Sequence, residues 1–590
     1  MSDAGSVIPT PATPDVCTMV VLVGGQEIPS TYHVQSVTVS RELNRIPSAS
    51  IQIDDGEASK QTFPASNADT FVPGKAIEIQ LGYRSQNATV FKGTIVRQHI
   101  KIRKGGGSLS VDCYADAVKT TVSRKSKYYA GMKDSDILEQ ILDAYSLPKN
   151  VEATTPNLKE VVQYDSTDWD FMLCRAEANG QVVLVGDDTV SIAKPAMGGA
   201  AALQLAYGSS VLDLDAEMDA RWQSKNLKAT AWSAADQKVI DAEGNEPAVP
   251  LAGNVAASDL ADVLGDDTDL IFHGGAIAED QLQAWADARL LRMRLARLRG
   301  RARCQGFSGI QPGGIIQISG IGDRFQGKLY VSGVRHTVGG GNWETDIQFG
   351  LNPEIFAETY NLRPLPAAGL LPTVSGLQMG VVTALQNDPD GEDRIKCRLP
   401  LIDPNDEGVW ARLATLDAGN NRGTYFRPEV GDEVVVGFLD NDPRHAVILG
   451  QCNSSAKPSP QPASDQNDLK GYVSREKLVL TFDDAKKAIT IGTPAGNSIT
   501  LSEDAQSIVI QDQNNNKLTL DSNGITIESA KDLVFKTSAG DVKQSGTNIE
   551  FTAQSSFKAS GAATAEISGA QTKINGDAMT VIKGGLVQIN

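Results

Sequence analysis

A chain of 590 residues exceeds what one hydrophobic core organises and divides into about three or four domains. It is 41% hydrophobic and 21% charged, and its net charge of −18 argues against a general nucleic-acid binder, which would be basic. No apolar run approaches the ~20 residues that span a bilayer. The opening "MSDAGSVIPTPATPDVC" lacks the basic-then-apolar layout of a secretory signal, so synthesis and folding in a cytoplasm are expected.

Residues 1–16 read as a flexible start. The next hundred alternate apolar and polar in short runs separated by turn residues: "AIEIQLGY" (76–83), "TVFKGTIV" (89–96) and "SLSVDCYA" (108–115). That pattern predicts an antiparallel sheet or barrel. The period then changes. Ile137, Leu138, Ile141 and Leu142 form a helical stripe within 133–146, with Ser135 or Asp136 able to cap its start. "STDWDFMLCRAEANG" (166–180) predicts a second helix closed by Asn179-Gly180, and the strand-like runs "QVVLV" and "TVSIA" follow.

The strongest helical pattern covers 278–299, where Ala284, Ala288, Leu291, Leu295 and Leu298 repeat at the 4,3 spacing of a packing seam. Seven arginines lie between Arg289 and Arg303. In so acidic a chain they predict salt bridges to the protein's own carboxylates or to a neighbouring subunit, not a nucleic-acid arm. Strands resume at "GGIIQISG" and "KLYVSGVRHTV". "NLRPLPAAGLLPT" (361–373) reads as a hinge, 377–452 as a compact strand-rich region, and "NSSAKPSPQPASDQND" (453–468) as a linker.

A repeat follows. Pairs of apolar residues with one polar residue between them recur at Ile489/Ile491, Ile499/Leu501, Ile508/Ile510, Leu518/Leu520, Ile525/Ile527, Leu533/Phe535 and Ile549/Phe551. They weaken at Phe557/Ala559 and Ala565/Ile567. Alternation places both members of a pair on one face of a strand, and Asn, Asp, Gly and Ser fill the gaps as turns require. Each unit is one short strand and one bend, too small to bury its own apolar pair, so units must stack. A one-chain solenoid and three chains wound about a shared apolar axis both satisfy the spacing.

Motifs of site chemistry are sparse. Six cysteines without a CxxC pair predict buried, reduced thiols, and five scattered histidines give no metal cluster, so no cofactor or metal is expected. "DPDGED" (388–393) has the residues of a calcium loop without its distal glutamate and reads as a tight turn. "HGGA" (273–276) has no G-x-S-x-G partner, and the GGG runs at 105–107 and 339–341 lack a phosphate loop's ending; these read as a loop and hairpin turns. Asp504, Asp512, Asp521 and Glu528 read as solvated turn residues, not catalytic pairs.

Residues 380–450 carry a dense resemblance. Gly380, Val382, Asp388, Pro389, Gly391, Arg394, Pro400, Trp410, Arg412, Ala418, Gly419 and Phe426 lead it. Pro428, Glu429, Gly431, Glu433, Val434, Phe438, Pro443 and Gly450 continue it. The stretch resembles the OB-fold domain of the VgrG and phage-spike family, the trimeric tips of contractile injection machines. The amino-terminal third resembles the family's hub, closest to spikes of type VI secretion and phage-tail-like particles, and "VIKGGLVQIN" resembles its terminal needle strand.

The resemblance implies a mainly β protein: a hub of β-barrels with inserted helices (17–365), a hinge (366–376), an OB-fold collar (377–452), a linker (453–470) and a three-chain β-helical needle (471–590). It favours three wound chains over the solenoid. It implies a homotrimeric puncturing spike that joins a hexameric inner-tube protein and baseplate proteins, helps deliver effector cargo and meets the target-cell membrane transiently. The expected needle core is Leu518, Leu520, Ile525, Ile527, Leu533, Phe535, Ile549 and Phe551. Lys583, Gly584, Gly585, Leu586, Val587, Gln588, Ile589 and Asn590 are expected to bind a PAAR-repeat tip protein. A lytic or depolymerising enzyme is the alternative, but the linker leaves no room for an inserted catalytic domain and the chain stops after the needle's last strand. A place in a released or delivered injection particle is the expected location.

Overall fold

A computed structural model describes residues 6–7, 16–249, 252–265 and 267–589. Apart from residues 6, 7 and 16, the start expected to be flexible lies outside them. The chain divides into two compact units, residues 1–376 with 438–446 and residues 377–437 with 447–590. The architecture is mainly β, as expected.

The first unit is built on a large, mostly antiparallel sheet of fourteen strands among the described residues. Alternation does the work the sequence assigned to it. In Ala76–Tyr83 the inward residues Ile77, Ile79 and Leu81 are buried while Glu78 and Gln80 between them are only half-buried. This strand turns at Arg84-Ser85, both at positive φ, into the long strand Gln86–Arg103. Two consecutive left-handed residues are what a two-residue hairpin with native twist needs. Val37, Val39, Ile51, Ile53, Phe91, Leu109 and Val111 complete this core. The strand His33–Glu42 pairs with Gly327–Gly339, so the sheet joins chain segments some three hundred residues apart.

The helix Asp134–Ala144 buries the expected stripe of Ile137, Leu138, Ile141 and Leu142. The carboxylate of Asp136 accepts from the Lys133 N–H at its start. The second helix, Asp168–Ala178, is capped by Thr167 and ends at Asn179, with Gly180 in the left-handed conformation. Two buried carboxylates fasten these helices. Asp134 takes a two-pronged bond from Arg175 at 2.7 and 2.8 Å and a third from Asn179 at 2.8 Å. Asp168 accepts from Lys125 at 2.6 Å, Tyr145 at 2.7 Å and Gln163 at 2.9 Å. Burial works to raise the Asp168 pKa, but those three donors outweigh it and hold the carboxyl below its ordinary range.

The helix Glu279–Leu295 departs from its expected seam. Leu298 begins the strand Leu298–Gln305, and the helix is buried on two sides instead of one. Leu282, Ala286 and Leu290 pack on a three-stranded sheet of Asn226–Ser233, Lys238–Glu243 and Thr268–His273, while Leu291 and Leu295 join a separate cluster. A single 4,3 stripe describes a helix with one partner; this one has two. The arginines behave as expected. Arg289 pairs with Glu358, Arg292 with Glu177, Arg294 with Glu246, Arg299 with Glu217, Arg301 with Asp213 and Arg303 with Asp346. Arg297 donates to the Ala252 and Val255 carbonyls. The GGG runs sit at the hairpins joining Gln86–Arg103 to Gly106–Tyr114 and Gly327–Gly339 to Asn342–Phe349.

In the second unit, Gln378–Ala384, Ile395–Arg398, Val409–Leu413, Ala446–Gln451 and Glu433–Phe438 close into a small barrel, in that order. Val382, Ile395, Cys397, Ala411, Val434, Val436 and Ile448 fill it. Gly380 is required there: a Cβ would lie 2.5 Å from Cys397 Sγ and 3.0 Å from Val436 Cγ2. "DPDGED" is a tight turn in which Asp388 accepts from the Asp390, Glu392 and Arg394 backbone N–H groups. The Arg394 guanidinium beside it, together with those backbone bonds, drives the Asp388 carboxyl well below the usual range. All six cysteines are free, but only Cys113, Cys304 and Cys397 are buried, and Cys452 is exposed at the barrel's end, where no core reaches it.

Candidate functional site

The repeat begins as seven five-residue strands, Leu469–Val473, Val479–Asp483, Ala488–Gly492, Ser498–Ser502, Ser507–Gln511, Lys517–Asp521 and Gly524–Glu528. Each pairs antiparallel with the next. Short bends set this order. Lys477, Lys487, Gln506 and Asn515 take positive φ, and Asp512 accepts from the backbone N–H groups of Asn514 and Asn516. Hydrogen bonds from Asn516 and Asn514 hold the Asp512 carboxyl below its ordinary range. Asp504, Asp521 and Glu528 are exposed at turns or strand ends.

Uniform strand length keeps the register in step. Leu480, Ile491, Ile499, Ile510, Leu518 and Ile527 stand directly opposite one another from strand to strand. Phe482, Ile489, Leu501, Ile508, Leu520 and Ile525 make a second column beside the first. Thr481, Thr490, Thr500, Val509, Thr519 and Thr526 line up on the opposite face. The burial is inverted relative to a folded sheet. Thr481, Thr490, Thr500, Val509 and Thr519 are half-buried and only the last of the column, Thr526, is exposed, whereas Ile491 is 50% exposed and Ile525 70%. Two continuous apolar columns therefore stand open to solvent along the sheet, an arrangement soluble monomers avoid.

Of the residues expected in the needle core, the fold brings four together: Leu518 faces Ile527 and Leu520 faces Ile525. Leu533 comes beside Leu518 and Ile527 along one groove without entering the sheet, and Phe535, Ile549 and Phe551 do not join them. They lie in extended chain where residues 529–589 form no strand, and each described residue from 521 onward is exposed. A strand exists only with a ladder partner, and this stretch has none in its own chain. Lys583, Gly584, Gly585, Leu586, Val587, Gln588 and Ile589 are likewise exposed and make no mutual core, with Leu586 and Ile589 both 85% exposed; Asn590 lies outside the described residues. The sequence reading did not single out the Thr column, whose only signal is a polar residue at the middle of each pair. It also missed the contacts tying the barrel to the first repeats. Phe426 packs on Tyr472 with ring centroids 4.8 Å apart, and Glu429 pairs with Arg475 at 3.0 Å.

In the first unit a cleft of mixed lining includes Glu78, Lys92, Asp116, Asp187 and Asp188, whose charges are already matched. Lys92 meets Asp188 at 3.2 Å, Asp187 meets Arg41 at 2.8 Å, and Asp116 accepts from Thr94 and Lys119.

Comparison with known proteins bears on this surface. Residues 13–340, more than half of the chain, match the family model described as Alg8 N-terminal domain. Residues 378–452 match the Type VI secretion system/phage-baseplate injector OB domain, and residues 488–580 the phage baseplate V C-terminal trimerisation domain. The type VI secretion system spike protein VgrG1b of Pseudomonas aeruginosa is 29% identical over 208 residues, covering 32% of this chain and 27% of that protein. VgrG1a of the same organism is 28% identical over 206 residues, covering 32% and 31%. The chain thus spans about a third or less of the curated relatives it matches. The 43 kDa tail protein of prophage MuSo2 from Shewanella oneidensis aligns at a TM-score of 0.44 and 10% identity, covering 57% of this chain and 98% of that one.

Proposed function

The chain belongs to the VgrG and contractile phage-tail spike family, with an Alg8-type N-terminal domain, and from that premise we propose that three copies form the puncturing spike of a contractile injection machine. The observation that carries this reading is the pair of apolar columns left open on one face of the repeat sheet. Three such sheets turned inward cover one another's columns and make a prism with an apolar axis. Removing the exposed remainder of a dozen Leu, Ile and Phe side chains from water, at roughly 1 kcal/mol each, contributes on the order of 10 kcal/mol per chain. Beyond Glu528 the extended chains supply one another's missing ladder partners, which leaves no lateral edge.

In this reading residues 17–365 adapt three chains to a hexameric tube and its baseplate, and the barrel is the collar. The needle leads into the target membrane inside an injection particle, with effector cargo travelling on the machine. The work is mechanical: sheath contraction supplies force, and this chain supplies stiffness and a narrow leading end, with no reaction of its own. Sedimentation of the purified protein tests the assembly and is expected to give three times 62.7 kDa. A well-folded monomer overturns it.

A further inference from the structure

Three identical subunits close into a ring through a heterologous contact, in which one surface of a copy meets a different surface of the next. The first unit carries two surfaces of opposite character. Between residues 79 and 133 the sequence has eleven Lys or Arg against two Asp and no Glu, in a chain of net charge −18. Part of this segment is a hairpin arm, where the end of Gln86–Arg103 pairs with the start of Gly106–Tyr114. Strand alternation puts His99, Lys101 and Arg103 on one side of the arm and Ile100 and Ile102 on the other, with Lys104 at the turn. All six are exposed. Among the described residues no carboxylate pairs with Lys101, Arg103 or Lys104; Arg103 donates only to the Ile102 carbonyl.

The second surface lies between residues 234 and 287, where the sequence has twelve Asp or Glu and a single Lys. Its three-stranded sheet buries Leu227, Ala229 and Ala231 against the helix Glu279–Leu295. The other face presents Trp232 directly opposite Val239, with Leu270 and Phe272 on the neighbouring strand, and Phe272 is 81% exposed. Asp241, Asp262 and Asp267 belong to the same segment, and the last two share one lysine, Lys225. The ion pairs described for the two segments run elsewhere. The paired cations of the first meet Asp112, Asp116, Asp165, Asp168 and Asp188, and the carboxylates of the second meet Lys225, Lys228 and Arg294.

We infer that the cationic hairpin arm of one copy docks on the acidic, aromatic sheet face of the next copy, joining the three first units into a ring. This rests on the three-chain reading above and adds the surfaces by which the hubs meet. Charge complementarity selects the partner: a basic arm with apolar side chains needs an apolar face rimmed by carboxylates, and a second copy of this chain carries one. Ile100 and Ile102 meet the apolar face from one side of the arm, while Lys104 at the turn and the long side chains of Lys101 and Arg103 on the other side carry positive charge to the rim.

The test uses the full-length chain with Cys452→Ser as background. Lys104→Cys combined with Asp267→Cys, treated with a short bismaleimide, is expected to give cross-linked trimers that neither single cysteine gives. Adding Lys101→Glu and Arg103→Glu lowers the yield about tenfold through like-charge juxtaposition, and Asp241→Lys with Asp262→Lys restores it. Sedimentation of every variant is run in parallel, because the needle holds three chains together whatever the hubs do. A trimer mass without the cross-link, or a cross-link indifferent to both charge reversals, overturns this pairing and leaves the spike reading standing. A monomer overturns both.

Discussion

In the hub, alternating strands turn their apolar residues toward one another within a single chain, and Ile51, Ile53, Ile79 and Leu81 end with no exposure at all. In the repeat, the same alternation leaves Ile489, Ile499 and Ile508 about two-fifths exposed. The side-chain pattern is shared, so it cannot be what separates a self-sufficient core from an open one. Connection decides. Hub strands run up to 18 residues, and its sheet pairs segments far apart in the chain, so one part folds back over another. The repeat is a succession of five-residue strands joined by short bends, each beside its sequence neighbour. Such a meander extends in one direction and never returns to cover its own face. Alternation thus specifies which face is apolar, and topology specifies whose atoms cover it.

The comparison is broken most severely by charging the open columns. Ile525→Asp with Ile527→Asp puts six carboxylates per trimer at the proposed axis, where unpaired charge is costly. The expected outcome is loss of the detergent-resistant trimer on a gel, with the hub's own melting transition retained. Thr526→Asp, on the opposite face, is expected to leave the trimer intact. Equal loss in both variants means that the faces have been assigned the wrong way round.

Acid sharpens the comparison from the hub's side. His336 is buried, its Nδ1 lies 3.1 Å from Thr345 Oγ1, and burial together with the Arg41 charge pushes its pKa down to about 4. An unfolded chain binds that proton near pH 6.5, so it takes up a proton the folded hub refuses. The stabilisation is complete above pH 6.5 and is lost as pH falls from there toward 4. Scanning calorimetry is expected to show the hub transition dropping across that window while the needle's resistance to detergent holds, since no histidine lies beyond His445. His336→Gln should flatten the slope. An unchanged slope assigns the acid sensitivity to other groups.

Legibility followed the range of the interactions. The barrel was read through its resemblance to a known family, and the residues that carry the resemblance have local roles: Gly380 has no room for a side chain, and Asp388 and Arg394 staple a tight turn. The stripe of the helix Asp134–Ala144 could be read because one face meets one partner. The helix Glu279–Leu295 was misread because it meets two, and periodicity reports only the stronger stripe. The hub's strand order was not legible at all, since the pairing of His33–Glu42 with Gly327–Gly339 leaves no trace in either segment alone. In the repeat, the unit of strand and bend was legible. Its sequential antiparallel pairing was not, because a solenoid and wound chains have the same alternation.

The smallest effect on stability is expected at the far end, where the comparison reaches its limit. A rod of paired chains stops in exposed strand edges, and unpaired backbone groups at an edge invite another protein to continue the ladder. Leu586 and Ile589, both 85% exposed, would give three chains a small apolar triangle. Residues 583–590 are therefore proposed to seat a conical PAAR-repeat cap. Deleting these eight residues removes little of the apolar face, because the columns from Leu480 to Ile527 are untouched. Trimer mass and detergent resistance should match those of the full chain, while capture of the cap protein in a pull-down is lost. If the truncated trimer still holds the cap at full affinity, the cap docks elsewhere on the rod. If truncation dissolves the trimer, the end of the needle contributes to assembly itself, and the open columns alone do not hold three chains together.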